Sequence, residues 1–191
     1  MICVTGASGT LSSEVIRRLE KQHIPFRGAY FSERAAEIAR ARGIDAVTID
    51  YDHPATLRAA FAGCDALFLL GPNALNQTEL ELNAVDAARA AGVRHMVKQS
   101  VMGAAEEAYS LAKIHRPVEK AIERSGLAWT FLRPNSFMQN AVTFMSTTIR
   151  TEGHSTARAL RRGSAMSTSV TSPRWRWRRS RPKVTKDRST R

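Results

Sequence analysis

Eight residues near the start, Thr5-Gly6-Ala7-Ser8-Gly9-Thr10-Leu11-Ser12, constrain the fold more than any others. They follow the apolar run Met1-Ile2-Cys3-Val4 without a gap. Leu11, Val15, Ile16 and Leu19 then recur at helical spacing, with Glu14, Arg17, Arg18 and Lys21 between them. The pattern is strand, glycine-rich turn, helix, which opens a dinucleotide-binding βαβ unit. Gly6 lets the chain turn sharply off the strand, and Gly9 lets backbone approach a pyrophosphate. The helix beyond presents N–H groups and the positive end of its dipole to that anion. Gly6, Ser8, Gly9, Thr10 and Leu11 are therefore the expected cofactor-binding residues. Ser12 stands where the third glycine of this pattern falls, a small residue expected to be tolerated at a cost. A tight turn without a ligand is the alternative reading of the same residues.

Strand and helix patterns alternate from there. Strands are predicted at Pro25–Tyr30, Ile44–Ile49, Ala66–Leu70, Val93–Gln99 and Trp129–Leu132. Helices are predicted around Ala35–Ala39, Leu57–Phe61, Leu80–Ala91 and over 113–125. Gly43 and Gly63 close two of the helices, and Gly92 is read as a C-cap. Ala66-Leu67-Phe68-Leu69-Leu70 is apolar throughout, as in a strand covered by helices on both faces. The fold class is α/β: a doubly wound, parallel, Rossmann-like sheet over residues 1–150, followed by a disordered basic tail over 151–191.

The net charge of +12 belongs to that tail. Residues 1–150 carry 17 Lys+Arg against 15 Asp+Glu, whereas residues 151–191 carry 12 against 2. No apolar run is long enough to span a bilayer, and no signal peptide is read before Met1. The two cysteines, Cys3 and Cys64, offer no disulfide framework or metal spacing and are expected to be buried and reduced. A cytoplasmic location and no metal are expected. His23, His53, His95 and His154 also lack metal-ligand spacing.

Several segments together resemble the NmrA-like family, the atypical branch of the short-chain dehydrogenase/reductases. They are VTGASGTLSSEVIRRL, TIDYDHPATLRAAFAGCDALFLLGP, AAGVRHMVKQS and HRPVEKAIERSGLAWTFLRPNSFMQN. In the last, Ser-Gly-Leu, Leu-Arg-Pro and Phe-Met-x-Asn fall in the family's order and spacing. The match runs from Met1 to about Arg150. The resemblance implies NADP or NAD at the carboxyl edge of the sheet and reduction of a quinone or other small carbonyl. The alternative it allows is a non-catalytic dinucleotide sensor that binds a partner protein. Relatives carry a small C-terminal substrate lobe, which this chain is expected to lack, and activity is expected to suffer with it.

An acid after the second strand would grip the ribose hydroxyls of NAD. None occurs between Phe26 and Ser32. The family's arginine aligns with Phe31, so Arg34 is the candidate reader of a 2′-phosphate, ahead of Arg27. NADP is the expected cofactor, with NAD possible; the alternative is that Arg34 is a solvated helix-start residue. Asp50 is placed where the family holds the adenine, or is only a turn residue. Gly71 and Pro72 follow the fourth strand, where the chain passes the cofactor.

Tyr109 and Lys113 match the Tyr-x-x-x-Lys spacing of the wider dehydrogenase family, four apart on one helix face. The lysine would lower the tyrosine's pKa so that it passes a proton to a carbonyl, with Ser100 holding the substrate oxygen. A surface tyrosine and lysine are the alternative. Pro117, read as an early helix position, would leave Tyr109 in a loop. His115 and Glu119 are read as a pair on the helix surface. By resemblance, Asn135, Phe137 and Asn140 line the substrate pocket.

Past His154, Ser, Thr and Arg dominate, and Arg and Trp interleave around Trp175 and Trp177. Read literally, this suggests nucleic-acid or membrane-surface binding. The genetic code offers another reading. With each codon's last base joined to the next two, and suitable synonymous codons, Ser164 onward becomes Arg-Asp-Val-Asp-Val-Arg-Asp-Ile-Ala-Ala-Val-Ala-Val-Ala-Ala-Leu-Thr. That resembles the segment after Phe-Met-x-Asn in NmrA-like proteins. Met166, Trp175 and Trp177, which have single codons, fit Val, Ala and Ala there. A frame change near Gly153 is the favoured expectation, with no nucleic-acid or membrane partner. The oligomeric state is left open.

Overall fold

A computed structural model describes residues 1–137. Six strands and five helices alternate along them: β1 (Ile2–Val4), α1 (Thr10–Lys21), β2 (Phe26–Tyr30), α2 (Glu33–Ala41), β3 (Ala46–Thr48), α3 (Pro54–Phe61), β4 (Ala66–Leu69), α4 (Gln77–Ala90), β5 (His95–Gln99), α5 (Ser110–Glu123) and β6 (Ala128–Leu132). All strands pair in parallel, in the order β3-β2-β1-β4-β5-β6. The expected Rossmann-like sheet is what the chain forms.

Strand periodicity divides the core between the two faces. Cys3, Leu67 and Leu69 face α3, α4 and α5, packing with Phe61, Leu80, Val85, Val118 and Ile122. Val4 and Phe68 face the other way and meet Ile16 of α1 and Ala36 and Ala39 of α2. Side chains as buried as Phe61 and Leu67 each contribute roughly 1.5–3 kcal/mol relative to an exposed position.

One reading of the helix boundaries needs correction. Pro117 is not an early helix position: α5 begins at Ser110, and Pro117 lies inside it. The ring removes one hydrogen bond, to the exposed Lys113 turn, where water can replace it. Gly92 ends α4 as expected: its φ is +77°, its N–H donates to the Arg89 carbonyl at 3.1 Å and the Val93 N–H donates to the Ala88 carbonyl at 3.0 Å. The basic tail, the boundary at 150 and the frame change near Gly153 lie outside the described residues.

Candidate cofactor site

The strand order reverses between β1 and β4, so α1 and α4 leave their strands toward opposite faces and a crevice opens at the carboxyl ends. Gly6 stands on one lip with a φ of +60°, the left-handed region that favours glycine. A Cβ there would also lie 3.0 Å from Leu70 Cδ2 on the other lip. The Gly9 N–H donates to the Gly6 carbonyl at 2.8 Å, closing the turn. Gly9 is then the N-cap of α1 and supplies no side-chain cap, so the first turn keeps its N–H groups for another acceptor. A Cβ on Gly9 would meet only the Gly6 carbonyl oxygen, at 3.1 Å, within 4 Å. An uncapped helix end beneath open space fits a pyrophosphate. Ser8 and Thr10 are exposed at this turn, and Leu11 is half-buried.

Both lips are tied down from below. The buried Ser12 hydroxyl donates to the Thr5 carbonyl at 2.8 Å. Ser12 is thus not merely a glycine substitute borne at a cost, because its hydroxyl links α1 to the end of β1. The Thr5 hydroxyl accepts from the Leu70 N–H at 2.9 Å, and the Tyr51 hydroxyl donates to the Leu70 carbonyl at 3.0 Å. Gly71 and Pro72 follow, half-buried. A Cβ at Gly71 would stand 2.3 Å from Glu81 Oε1, so this glycine is required by the carboxylate packed beneath it.

At the end of β2, Phe31 is 75% exposed and Arg34 is exposed in the first turn of α2. The intervening Glu33 accepts hydrogen bonds from Arg40 and Thr48. Arg27 donates to Asp45 and to the carbonyls of Ala60 and Ala62. Asp50 accepts from the Asp52 N–H at 3.0 Å and meets His53 Nδ1 at 2.9 Å, and these contacts lower its pKa. Its carboxylate thus organises its own turn. A groove of about 570 Å³ runs from the glycine turn between α1 and α2, past Ser8, Thr10, Tyr30, Ile38 and Arg42.

The structure separates the members of the proposed catalytic set by environment. Tyr109 is the N-cap of α5 and 47% exposed; partial burial raises its phenol pKa, the direction opposite to a lysine's influence. Lys113 is exposed one turn on, its N–H bonded to the Tyr109 carbonyl at 3.1 Å. Ser100 is fully buried, and its hydroxyl donates to Glu119 Oε1 at 2.7 Å. The Asn135 carboxamide oxygen accepts from the Ser136 N–H, and Phe137 is half-buried. Asn140 lies outside the described residues.

His115 and Glu119 are not a surface pair. Both are buried, and they serve different partners. Glu119 accepts two hydrogen bonds from Arg133, at 2.9 and 2.8 Å, besides those from Ser100 and Arg116. Burial pushes the Glu119 pKa up, but these donors outweigh it and the net shift is downward. His115 Nδ1 accepts from Lys98 Nζ at 3.2 Å, and Lys98 pairs with Glu81 at 2.7 Å, all three buried. Burial lowers the Lys98 pKa against the pull of Glu81; burial, then Lys98, lower that of His115. Sequence reasoning passed over Glu81 and Lys98. A signal existed: Glu81 shares its helix stripe with Leu80, Ala84, Val85 and Ala88, and Lys98 sits in a strand covered on both faces.

A parallel sheet of this order, with a glycine turn and an uncapped helix at its switch point, defines a dinucleotide-binding protein of the Rossmann-like class. The chain belongs to the NAD(P)H-binding family, whose profile matches residues 6–164. It is 35% identical over 147 residues to an NAD(P)H azoreductase of Xenophilus azovorans, covering 75% of this chain and 51% of that protein. It is 28% identical over 155 residues to an NmrA-like domain-containing oxidoreductase of Aspergillus flavus, covering 75% and 50%. The crystal structure of the Escherichia coli NADPH-dependent quinone oxidoreductase, complexed with NADPH, superposes with a TM-score of 0.72 at 28% identity, covering 78% of this chain and 54% of that one. The NmrA-like resemblance is borne out. The chain spans about half the length of the relatives it matches. Among the described residues, no helix is long and apolar enough to cross a membrane, and no group of three or more His, Cys, Asp or Glu is placed to hold a metal.

Proposed function

We propose that this chain binds NADPH in preference to NADH at the β1–β4 switch point and supports reduction of a small quinone or other carbonyl acceptor. The observation that carries the reading is the uncapped N-terminus of α1 beneath the open Gly6–Gly9 turn. Gly6, Ser8, Gly9, Thr10 and Leu11 hold the pyrophosphate there, and Gly71 and Pro72 form the facing lip. Exposed Arg34, with no acid between Phe26 and Ser32, receives the 2′-phosphate, and Asp50 shapes the adenine side through its turn. When bound, the reduced dinucleotide supplies hydride. The relatives named for azo and quinone reduction support an acceptor of that class.

Within this reading Tyr109 gives the proton to the reduced oxygen and Lys113 stands beside it. Ser100, committed to Glu119, shapes the floor rather than holding substrate. Asn135, Phe137 and Asn140 line the acceptor side. Residues 1–150 form the cofactor unit and 151–191 a separate segment.

Fluorescence titration of the full chain with NADPH and NADH, followed by turnover with a quinone panel, tests the proposal. Tighter NADPH binding with turnover is expected. Equal affinities, or preference for NADH, would remove the cofactor assignment. Binding without turnover would leave the non-catalytic sensor, and no binding would remove both readings.

A further inference from the structure

On the face of the sheet that carries α3, α4 and α5, neighbouring helices pack side by side. On the other face α1 and α2 stand apart, and the groove of about 570 Å³ between them lies within the size range of small-molecule sites. Both helices start at the carboxyl edge of the sheet, so the groove leads away from the glycine turn toward their last turns. Its middle is apolar, walled by Ile16, Ala35, Ile38 and Ile44, and Ile38 is 56% exposed. Tyr30 lines it too, at 7% exposure. A Cβ on Gly28 would stand 2.8 Å from Tyr30 Cε2 and 3.2 Å from its hydroxyl, so the bare glycine lets the ring lie back along β2, toward the far end of the groove. Among the described residues that hydroxyl has no hydrogen-bond partner. Arg42, directly after α2, and Glu20, in the last turn of α1, line the far end. Among the described residues neither side chain has a partner. Glu14, on the same wall, is taken up by Arg17 and Arg18, which donate to it at 2.6 to 2.7 Å.

We propose that the α1–α2 groove is a second small-molecule site, distinct from the cofactor crevice, for a neutral aromatic carboxamide. The flat apolar body lies against Ile16, Ile38 and Ile44, and taking it out of water supplies most of the affinity. The polar head goes to the end where Tyr30, Arg42 and Glu20 line the groove. An anionic head would face the Glu20 carboxylate and a cationic head the Arg42 guanidinium, and like charges brought together cost affinity. A neutral amide satisfies both. Its carbonyl oxygen accepts from Arg42 or from the Tyr30 hydroxyl, and its N–H donates to Glu20. The Tyr30 hydroxyl thereby gains the partner that a buried polar group requires. Glu14, already held by two arginines, takes no part.

Equilibrium titration of the full chain with 2-naphthamide, 2-naphthoate and 2-(aminomethyl)naphthalene tests the proposal. The amide is expected to bind about tenfold more tightly than either charged analogue. Tyr30→Phe should weaken the amide by about threefold to tenfold, the loss of one hydrogen bond. Ala35 is half-buried on the groove wall, so Ala35→Trp fills the groove from its side and should abolish binding, with the circular dichroism unchanged. Excess NADPH should leave the affinity for the amide as it is. No binding of 2-naphthamide to the folded chain would overturn the proposal. So would equal affinity for the carboxylate, an unchanged affinity in Tyr30→Phe, or binding that survives Ala35→Trp. Displacement by NADPH would overturn it as well, by placing the probe in the cofactor crevice.

Discussion

The Ser12 hydroxyl donates to the Thr5 carbonyl at 2.8 Å inside the turn that joins β1 to α1. This one bond sets the distance between strand end and helix start, and so the shape of the anion cradle. Ser12→Gly removes the donor, leaves a cavity and puts glycine in a helix. A loss of about 1–2 kcal/mol is expected. Urea unfolding at neutral pH measures it, and an unchanged midpoint would show the bond to be idle.

Gly9→Val places a branched side chain over the uncapped end of α1, where the Cβ already approaches the Gly6 carbonyl oxygen at 3.1 Å. Dinucleotide affinity should fall by more than about tenfold, or ~1.4 kcal/mol, for NADPH and NADH alike. Circular dichroism should show the fold retained.

Arg34→Ala acts on one cofactor only. Its guanidinium is exposed at the start of α2, where the proposal puts the 2′-phosphate. NADPH affinity should drop while NADH affinity stays, so that the ratio of the two narrows on titration. An unchanged ratio would leave Arg34 a solvated helix-start residue.

Lys98 and Glu81 pair at 2.7 Å with both side chains fully buried. Lys98→Met leaves the carboxylate uncompensated, and a loss of about 3–5 kcal/mol is expected. Replacing Glu81 as well, with Met or Gln, should recover much of it. A double variant no more stable than the single would show that the two side chains act independently.

Stability should fall as pH drops below neutral. Burial and the neighbouring Lys98 hold the folded His115 pKa below its ordinary value of 6.5. Its contribution is therefore complete above the unfolded value. It declines as pH falls toward the folded one, because the unfolded chain takes up the proton first. The slope for one proton is at most about 1.4 kcal/mol per pH unit. Urea midpoints from pH 8 to 5 should show the decline, and His115→Gln should reduce it.

Legibility followed the range of the interactions. The Gly6–Gly9 turn, the 2-residue and 3.6-residue periods and the apolar β4 are local features, so every strand and helix could be placed from neighbours in the chain. Arg34 and Gly71 were proposed from their places just after a strand, and Tyr109 from its spacing to Lys113. Pro117 misled because local rules put proline at a helix start, whereas packing of Ala112, Val118 and Ile122 into the core outweighs one lost hydrogen bond.

The sequence by itself determined the alternating elements, the glycine turn that fits a dinucleotide and the absence of an acid after β2. Each depends on residues a few positions apart, where backbone sterics and side-chain period act directly. Only the tertiary structure decided that Glu81 meets Lys98, that Glu119 collects Ser100, Arg116 and Arg133, and that Arg27 reaches Asp45 and the carbonyls of Ala60 and Ala62. The residues that converge there lie on separate strands, helices and loops. Their meeting is set by strand order and by the need to pair charge once water is excluded, and neither leaves a periodic trace along the chain.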